Sequence, residues 1–184
     1  MLEFVALGTR PDAANDVADQ LGGSLYVHEG DPDEKRPYTT LLRAVTDSPE
    51  ALAPAADVAL HLAFARPIKA PAGPPSAERL IASFPLRRHP DLSHRQADDH
   101  WRDTHAPLAL THHSAMCDYT QLSIAHTIDG RELDGIAMCA FDNADDLHTR
   151  FYNDEAAEQA IVADVTTFAD VRRSPRRVVL RQVR

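Results

Sequence analysis

The chain has 184 residues, 43% of them apolar, which suits one compact domain or two small domains that share a core. Its 28 acidic and 19 basic residues give a formal net charge of -9, which argues against nucleic acid or an anionic membrane as the main partner. No apolar stretch in the sequence is long enough to span a bilayer.

The two cysteines, Cys117 and Cys139, lie in apolar segments and match no zinc-binding or disulfide pattern. This usage is typical of a reduced protein. The N-terminal residues also lack the basic start and long apolar run of a signal peptide. We therefore expect a cytoplasmic location.

Residues 1–66 predict an alternation of strands and helices. Thr9 as a cap, followed by Pro11, indicates where the first helix begins, and Gly22 indicates where it ends. The predicted elements, in chain order, are a strand at Leu2–Gly8, a helix over Asp12–Leu21, a strand at Ser24–His28, a polar turn at Gly30–Pro37, a strand at Tyr38–Thr46, a helix from Ser48 to about Ala56, and a strand at Val58–Arg66.

Residues 67–78 predict a linker. The stretch Pro67–Ser76 contains four prolines and one glycine and has no hydrophobic periodicity. After it the order of elements starts again, so we expect residues 1–66 and 79–184 to form two halves.

Residues 79–184 predict a second set of elements, in which Ser93 and Gln96 fit a helix capping box. In chain order these elements are a strand at Arg79–Arg88, a histidine-rich helix that begins at Ser93, a strand at Cys117–Ile128, a hairpin turn at Asp129–Gly130, a strand at Ile136–Phe141, a helical stretch at Asn143–Asp170 with a break near Asn153, and a strand at Arg176–Val183.

Both halves therefore run strand, helix, strand, strand, helix, strand. This order is typical of a ferredoxin-like βαββαβ unit, in which helices cover one face of a four-stranded antiparallel sheet. Two such units can cover each other's bare faces. We predict an α+β fold in which two ferredoxin-like repeats form a pseudo-dimeric α/β barrel.

The segment between His89 and His113 holds six of the ten histidines and the only tryptophan, Trp101. Helical spacing places one stripe of residues on a common face: Ala97, Trp101, His105, Leu108 and His112. Because proline lacks an N–H and pushes the preceding residue out of the α region, Pro107 predicts a kink or break beside His105.

The sequence from about residue 79 to residue 184 resembles the EthD-like family of the dimeric α/β-barrel superfamily. The resemblance is carried by Arg87–Arg88 after the opening strand, by the helix start Pro90–Ser93, and by the run Trp101–Pro107. The W-x-x-x-H-x-P pattern of that run is the family's most recognisable feature. Residues 1–66 contain no counterpart of it.

This resemblance implies a small cofactor-free oxidoreductase, monooxygenase or isomerase that acts on an aromatic or lactone-like metabolite. It also implies a site between the sheet and the first helix, where Trp101, His105 and His112 are expected to point. The competing hypothesis is a non-catalytic, stress-related protein that binds a small molecule.

His105 is the candidate general acid and base, because a neutral imidazole with a pKa of about 6.5 exchanges protons near neutral pH. Trp101 and His112, together with three further aromatic residues, are the candidate substrate-binding residues; the three are Tyr119, Phe141 and Tyr152. A structural alternative remains open, in which His105 bonds a carbonyl freed beside Pro107 and Trp101 fills the core.

No metal site is expected, since His105 and His112 lie two turns apart and the sequence contains no HExxH pattern. It also contains no phosphate loop or dinucleotide fingerprint, so no cofactor is expected. The expected partner is a small hydrophobic molecule, without nucleic acid or membrane. The chain is expected to be a monomer with an internal pseudo-dimer, or a homodimer.

Overall fold

The computed structural model of the protein describes residues 1–31, 34–74 and 76–184. Parts of two predicted segments lie outside this range: Pro32 and Asp33 in the polar turn, and Pro75 in the linker. The strands are Leu2–Gly8 (β1), Ser24–His28 (β2), Thr40–Ala44 (β3), Ala59–Lys69 (β4), Leu80–Leu86 (β5), Asp118–Gly130 (β6), Gly135–Phe141 (β7) and Val178–Gln182 (β8). The α-helices are Pro11–Leu21 (α1), His94–His100 (α2), Ala106–His112 (α3), Ala144–Thr149 (α4) and Glu155–Phe168 (α5).

The eight strands close into an antiparallel barrel, as predicted. The first four strands are neighbours in the order β4-β1-β3-β2, and the last four are neighbours in the order β8-β5-β7-β6. Pairing of β2 with β8 and of β4 with β6 joins the two sets. Every strand therefore has a partner on each side.

The barrel interior is a packed hydrophobic core, as is usual for a barrel of eight strands. Alternate residues of all eight strands point inward, among them Val5, Leu41, Ala63, Ile81, Leu122, Ile136 and Leu180. Polar groups are also buried there, such as the Tyr38 hydroxyl, which lies 2.6 Å from Ser83 Oγ. A core of this kind leaves the outer faces of the strands to carry the helices.

The helices cover the barrel from outside in two groups. Ala14, Val17 and Ala18 of α1 pack against Leu25 and Leu42 on the first four strands. On the last four strands, residues of α3 and α5 pack against the outer face of β5, β6 and β7. None of the helices among the described residues is both long and apolar enough to cross a membrane.

Three predicted elements differ from the observed ones in the first half and the linker region. The helix expected after Ser48 is a 3₁₀ helix, Pro49–Ala55, because Pro54 inside it has no N–H for an α-helical bond. The strand expected to end at Arg66 continues as β4 to Lys69, so it enters the segment predicted as linker. The prediction that residues 67–69 are linker is wrong.

The hairpin turn also lies later than predicted. Asp129 and Gly130 still belong to β6, paired with Leu60 and Ala59, and the chain turns only afterwards. Gly130 has a φ of +78°, and a Cβ there would collide with the backbone of Val58. The glycine is required by this close approach and by its positive φ, within a strand instead of a turn.

The capping box and the helix break of the second half are confirmed. Gln96 N donates to Ser93 Oγ at 3.2 Å, and Ser93 N donates to Gln96 Oε1 at 2.9 Å. The break near Asn153 falls between α4 and α5, and Asp154 caps α5 by accepting a bond from Ala157 N. These local signals fix where the helices around the candidate site begin.

Candidate functional site

The helical segment that carries Trp101 and His105 is continuous. The chain does not leave the helix beside His105, but a π turn interrupts the regular α-helix there. Between α2 and α3, residues Trp101–His105 form a π-helical turn in which Ala106 N donates to the Trp101 carbonyl, five residues earlier. Ala106 keeps helical angles, φ -62° and ψ -47°. Pro107 lies in the first turn of α3, where its missing N–H costs little.

The π turn changes which histidine shares a face with Trp101. In a regular α-helix of about 100° per residue, His112 would lie about 20° from Trp101 and His113 about 120° away. The π turn adds one residue, so His113 moves to about 20° and His112 to about 80° on the other side. In the structure His113 lines the cavity described below, and His112 is outside its lining.

A cavity of about 370 Å³ lies between this helical segment, α5 and the outer face of β5 and β7. Of the predicted site residues, Trp101, His105, Tyr119 and Tyr152 line it. Phe141 does not: it is fully buried, and its ring lies 5.4 Å from that of Phe151, which is itself part of the wall. Most of the wall is apolar, including Phe84, Leu86, Ile161, Val165 and Phe168.

His105 is held by a carboxylate on a different helix. Its Nδ1 lies 2.8 Å from Asp164 Oδ2, and the other carboxylate oxygen, Oδ1, lies 2.8 Å from His100 Nε2. Since an ionised carboxylate only accepts hydrogen bonds, we assign the proton of His105 to Nδ1. No described residue bonds its Nε2, which is therefore available to a ligand in the cavity.

The surroundings of His105 keep its imidazole neutral. Burial lowers the pKa of His105, and the hydrogen bond and charge of Asp164 oppose this effect without cancelling it. The ring of Phe168, 5.1 Å from that of His105, is part of the apolar cover. His105 bonds a carboxylate and not a freed carbonyl, so the structural alternative for this residue does not describe its contacts.

Trp101 is fixed by hydrogen bonds and by a close backbone. Its Nε1 donates to the Tyr119 hydroxyl at 3.1 Å, and Gln121 Nε2 donates both to that hydroxyl and to the Trp101 carbonyl, each at 3.0 Å. Burial raises the pKa of Tyr119, so this hydroxyl stays protonated. A Cβ on Gly135 would lie 2.5 Å from Trp101 Cζ3, so the indole requires glycine there.

His113 has a supporting place in the wall. Its Nδ1 lies 2.6 Å from the Phe151 carbonyl, and its ring lies 5.1 Å from that of Tyr152. Burial lowers the pKa of His113, so this imidazole is neutral too. These contacts hold Phe151 and Tyr152, which follow α4, against the end of α3.

The sequence reasoning did not identify Asp164, His100 or His113. Asp164 does leave a signal, because it sits between Ile161 and Phe168 on the apolar stripe of α5, where a carboxylate is unusual. Its partner is 59 positions away along the chain, so only the packing of α5 against the π turn reveals the pair.

Residues 89–172 match the EthD domain family. The C-terminal half is EthD-like. The match covers both the Trp101–Pro107 run and Asp164. No protein of curated function matches the sequence.

Solved structures resemble the whole chain, with the EthD-like half and the first half both covered. An anthrone oxidase-like protein aligns with a TM-score of 0.60 and 12% identity over 100% of this chain and 90% of that one. A protein of Fusobacterium nucleatum subsp. nucleatum ATCC 25586, described as a monooxygenase by inference, aligns with a TM-score of 0.60 and 8% identity. The alignment covers 100% of this chain and 92% of that one. A similarly described protein of Lactobacillus acidophilus NCFM aligns with a TM-score of 0.51 and 8% identity, over 98% of this chain and 92% of that one. At these identities the similarity shows the fold alone.

Proposed function

We propose that the protein is a small-molecule enzyme of the EthD type, which acts on a hydrophobic aromatic or lactone-like metabolite with His105 as general base and acid. The proposal depends on one observation: the neutral imidazole of His105, oriented by Asp164, lies on the wall of an apolar cavity of about 370 Å³.

His105 Nε2 would take a proton from a carbon next to a carbonyl, or from a phenol. Asp164 would then stabilise the imidazolium that forms, as a carboxylate does when it holds the far nitrogen of a catalytic histidine. Trp101, Tyr119 and Tyr152 would provide walls for a flat ligand. His112 and Phe141 have no part in this proposal, because neither lines the cavity.

The substrate anion that this proton transfer leaves can react in two ways. In an isomerisation, the proton on His105 returns to a different carbon. In an oxidation, the anion passes electrons to O₂, and a methylene is converted to a ketone with release of water, which balances as R–CH₂–R′ + O₂ → R–CO–R′ + H₂O. The descriptions of two similar folds, as anthrone oxidase-like and as a monooxygenase, favour the oxidation.

We further propose that the half that ends with β4 and the half that begins with β5 are repeats of one ferredoxin-like unit, so that a monomer closes the barrel. The matching strand orders β4-β1-β3-β2 and β8-β5-β7-β6 support this. Only the second half would carry a site, since α1 contains neither histidine nor tryptophan.

The test is oxygen uptake and quinone absorbance with anthrone and 1,8-dihydroxyanthrone as probes, using protein treated with chelator. We expect His105→Ala to lose about a hundredfold in rate, and His112→Ala, outside the cavity, to keep the wild-type rate. Circular dichroism checks that both variants fold. An unchanged rate in His105→Ala would refute its role as base, and a wild-type protein that binds the probes without turning them over would favour the non-catalytic hypothesis.

A further inference from the structure

The cavity that holds His105 has a single formally charged side chain among its described lining residues, the exposed Arg176. No aspartate or glutamate is among those lining residues. Arg176 belongs to the segment between α5 and β8, which also contributes Val171, Ser174 and Pro175 to the wall. The charge therefore lies where the cavity meets solvent.

The segment around Arg176 is unusually basic for a protein whose net charge is -9. It contains four arginines within six residues, Arg172, Arg173, Arg176 and Arg177. Among the described residues, no carboxylate forms an ion pair with any of these four guanidinium groups. Arg177 instead lies 5.9 Å from the ring centroids of Phe84 and Phe151, on two aromatic walls of the cavity.

We propose that the cavity binds an aromatic carboxylic acid, with its rings among the apolar walls and its carboxylate on Arg176 at the mouth. This inference rests on the proposed function in one respect, since it takes the cavity beside His105 as the substrate site. It adds the acidic class of the substrate and the direction in which it enters.

The chemistry of the lining favours an anion over a neutral ligand. His105 and His113 are neutral in the folded protein, which leaves Arg176 as the full positive charge of the site. A guanidinium binds a carboxylate through two parallel hydrogen bonds, which fixes the orientation of the ligand. At an exposed mouth the carboxylate keeps part of its hydration, so its desolvation cost is small. The acid group then stays outside while the rings extend toward His105.

The experiment compares anthraquinone-2-carboxylate with anthraquinone-2-carboxamide, two flat probes that differ in charge and little in shape. Binding is followed by quenching of Trp101, which is the only tryptophan and lines the cavity, and by isothermal calorimetry. The variants are Arg176→Gln, Arg176→Glu and, as the matched control, Arg172→Gln, which removes an exposed arginine outside the lining.

We expect the wild type to bind the carboxylate at least about tenfold more tightly than the carboxamide at low salt. Arg176→Gln should remove this preference, Arg176→Glu should reverse it, and Arg172→Gln should retain it. Equal affinities in the wild type, or a preference that survives in Arg176→Gln, would overturn the inference and leave the proposed function intact. If neither probe binds or quenches Trp101, the cavity is not an aromatic-ligand site and both proposals fail.

Discussion

Both halves of the chain contain buried histidines, and His61 in the first half and His105 in the second have opposite surroundings. His61 on β4 points into the barrel on the same side as Ala59 and Ala63. Its Nδ1 lies 3.1 Å from Thr127 Oγ1, and its Nε2 is buried with no hydrogen-bond partner among the residues that the structure describes. Burial lowers the pKa of His61 to about 4. His105 instead bonds a carboxylate and lines a cavity.

The comparison shows that burial alone does not make an imidazole a candidate catalyst. His61 is neutral because it is desolvated, and no described carboxylate balances the charge it would gain as a base. His105 is also neutral, but Asp164 can stabilise its imidazolium and its second nitrogen is free. His61 lies opposite Thr127 in the pairing of β4 with β6, so its contacts are those of a cross-strand neighbour.

The largest effect is expected from removing the carboxylate that distinguishes His105. In Asp164→Asn the amide can donate to Nδ1 of His105 and so favour the tautomer with its proton on Nε2, which cannot act as a base. The rate of anthrone oxidation should therefore fall by about a hundredfold. Asp164 raises the pKa of His105, against the effect of burial, so its loss should lower that pKa. The acid limb of the pH–rate profile should therefore move to lower pH. Glu158→Gln, an exposed carboxylate of α5, is the control. An acid limb that does not move would mean that Asp164 acts only on stability.

The neutral state of His61 predicts acid sensitivity. Its pKa is about 4 when folded and about 6.5 when unfolded, so the unfolded chain takes up the proton first as the pH falls. Roughly 3 kcal/mol of stability should therefore be present above pH ~6.5 and lost between pH ~6.5 and pH ~4. Urea unfolding across this range measures the loss.

In His61→Leu the dependence of the unfolding free energy on pH should become flatter over the same range. His126→Asn, an exposed histidine on the neighbouring strand, should keep the wild-type slope. An unchanged slope in His61→Leu would show that other groups cause the acid sensitivity.

The packing of Trp101 against β7 predicts a smaller loss. Gly135→Ala would place a Cβ against the indole, so the free energy of unfolding should fall by about 1–3 kcal/mol. Displacement of the indole should also shift the emission of this single tryptophan. Gly73→Ala, where nothing lies within 4 Å of the added carbon, should change neither. A wild-type melting temperature and spectrum in Gly135→Ala would contradict the close contact.

The smallest expected effect is a difference in stability between variants at the helix starts of the two halves. Ser93→Ala removes the bond to Gln96 N and should cost about 1 kcal/mol. Ser48, at the start of the 3₁₀ helix, makes no side-chain cap bond, so Ser48→Ala should cost less. Thermal melts of the two variants test the difference, and equal losses would argue against a specific role for the capping box.

The sequence predicted those features that depend on neighbouring residues. Hydrophobic alternation located the strands, and Ser93 with Gln96 located the start of α2. The helical register after Trp101 was missed, because a 3.6-residue period contains no π turn and so favoured His112 over His113. Phe141 was named for the wall as an aromatic residue. It does lie on the outer face of β7, but the sequence does not show that Phe151 covers it.

The pairing of His105 with Asp164 could not be predicted from local pattern. It requires α5 to pack across the π turn, and that arrangement depends on contacts between elements distant in the chain. The apolar stripe of α5 was visible in the sequence, but the significance of one carboxylate within it depends on which side chain it meets.

Closure of the barrel within one chain affects how the protein responds to dilution. The contacts of β2 with β8 and of β4 with β6 join strands of the same molecule, so they form at an effective concentration set by chain connectivity. A barrel closed by two separate chains would fall apart as the protein is diluted, and its melting temperature would depend on concentration. Here the barrel can persist at any expression level.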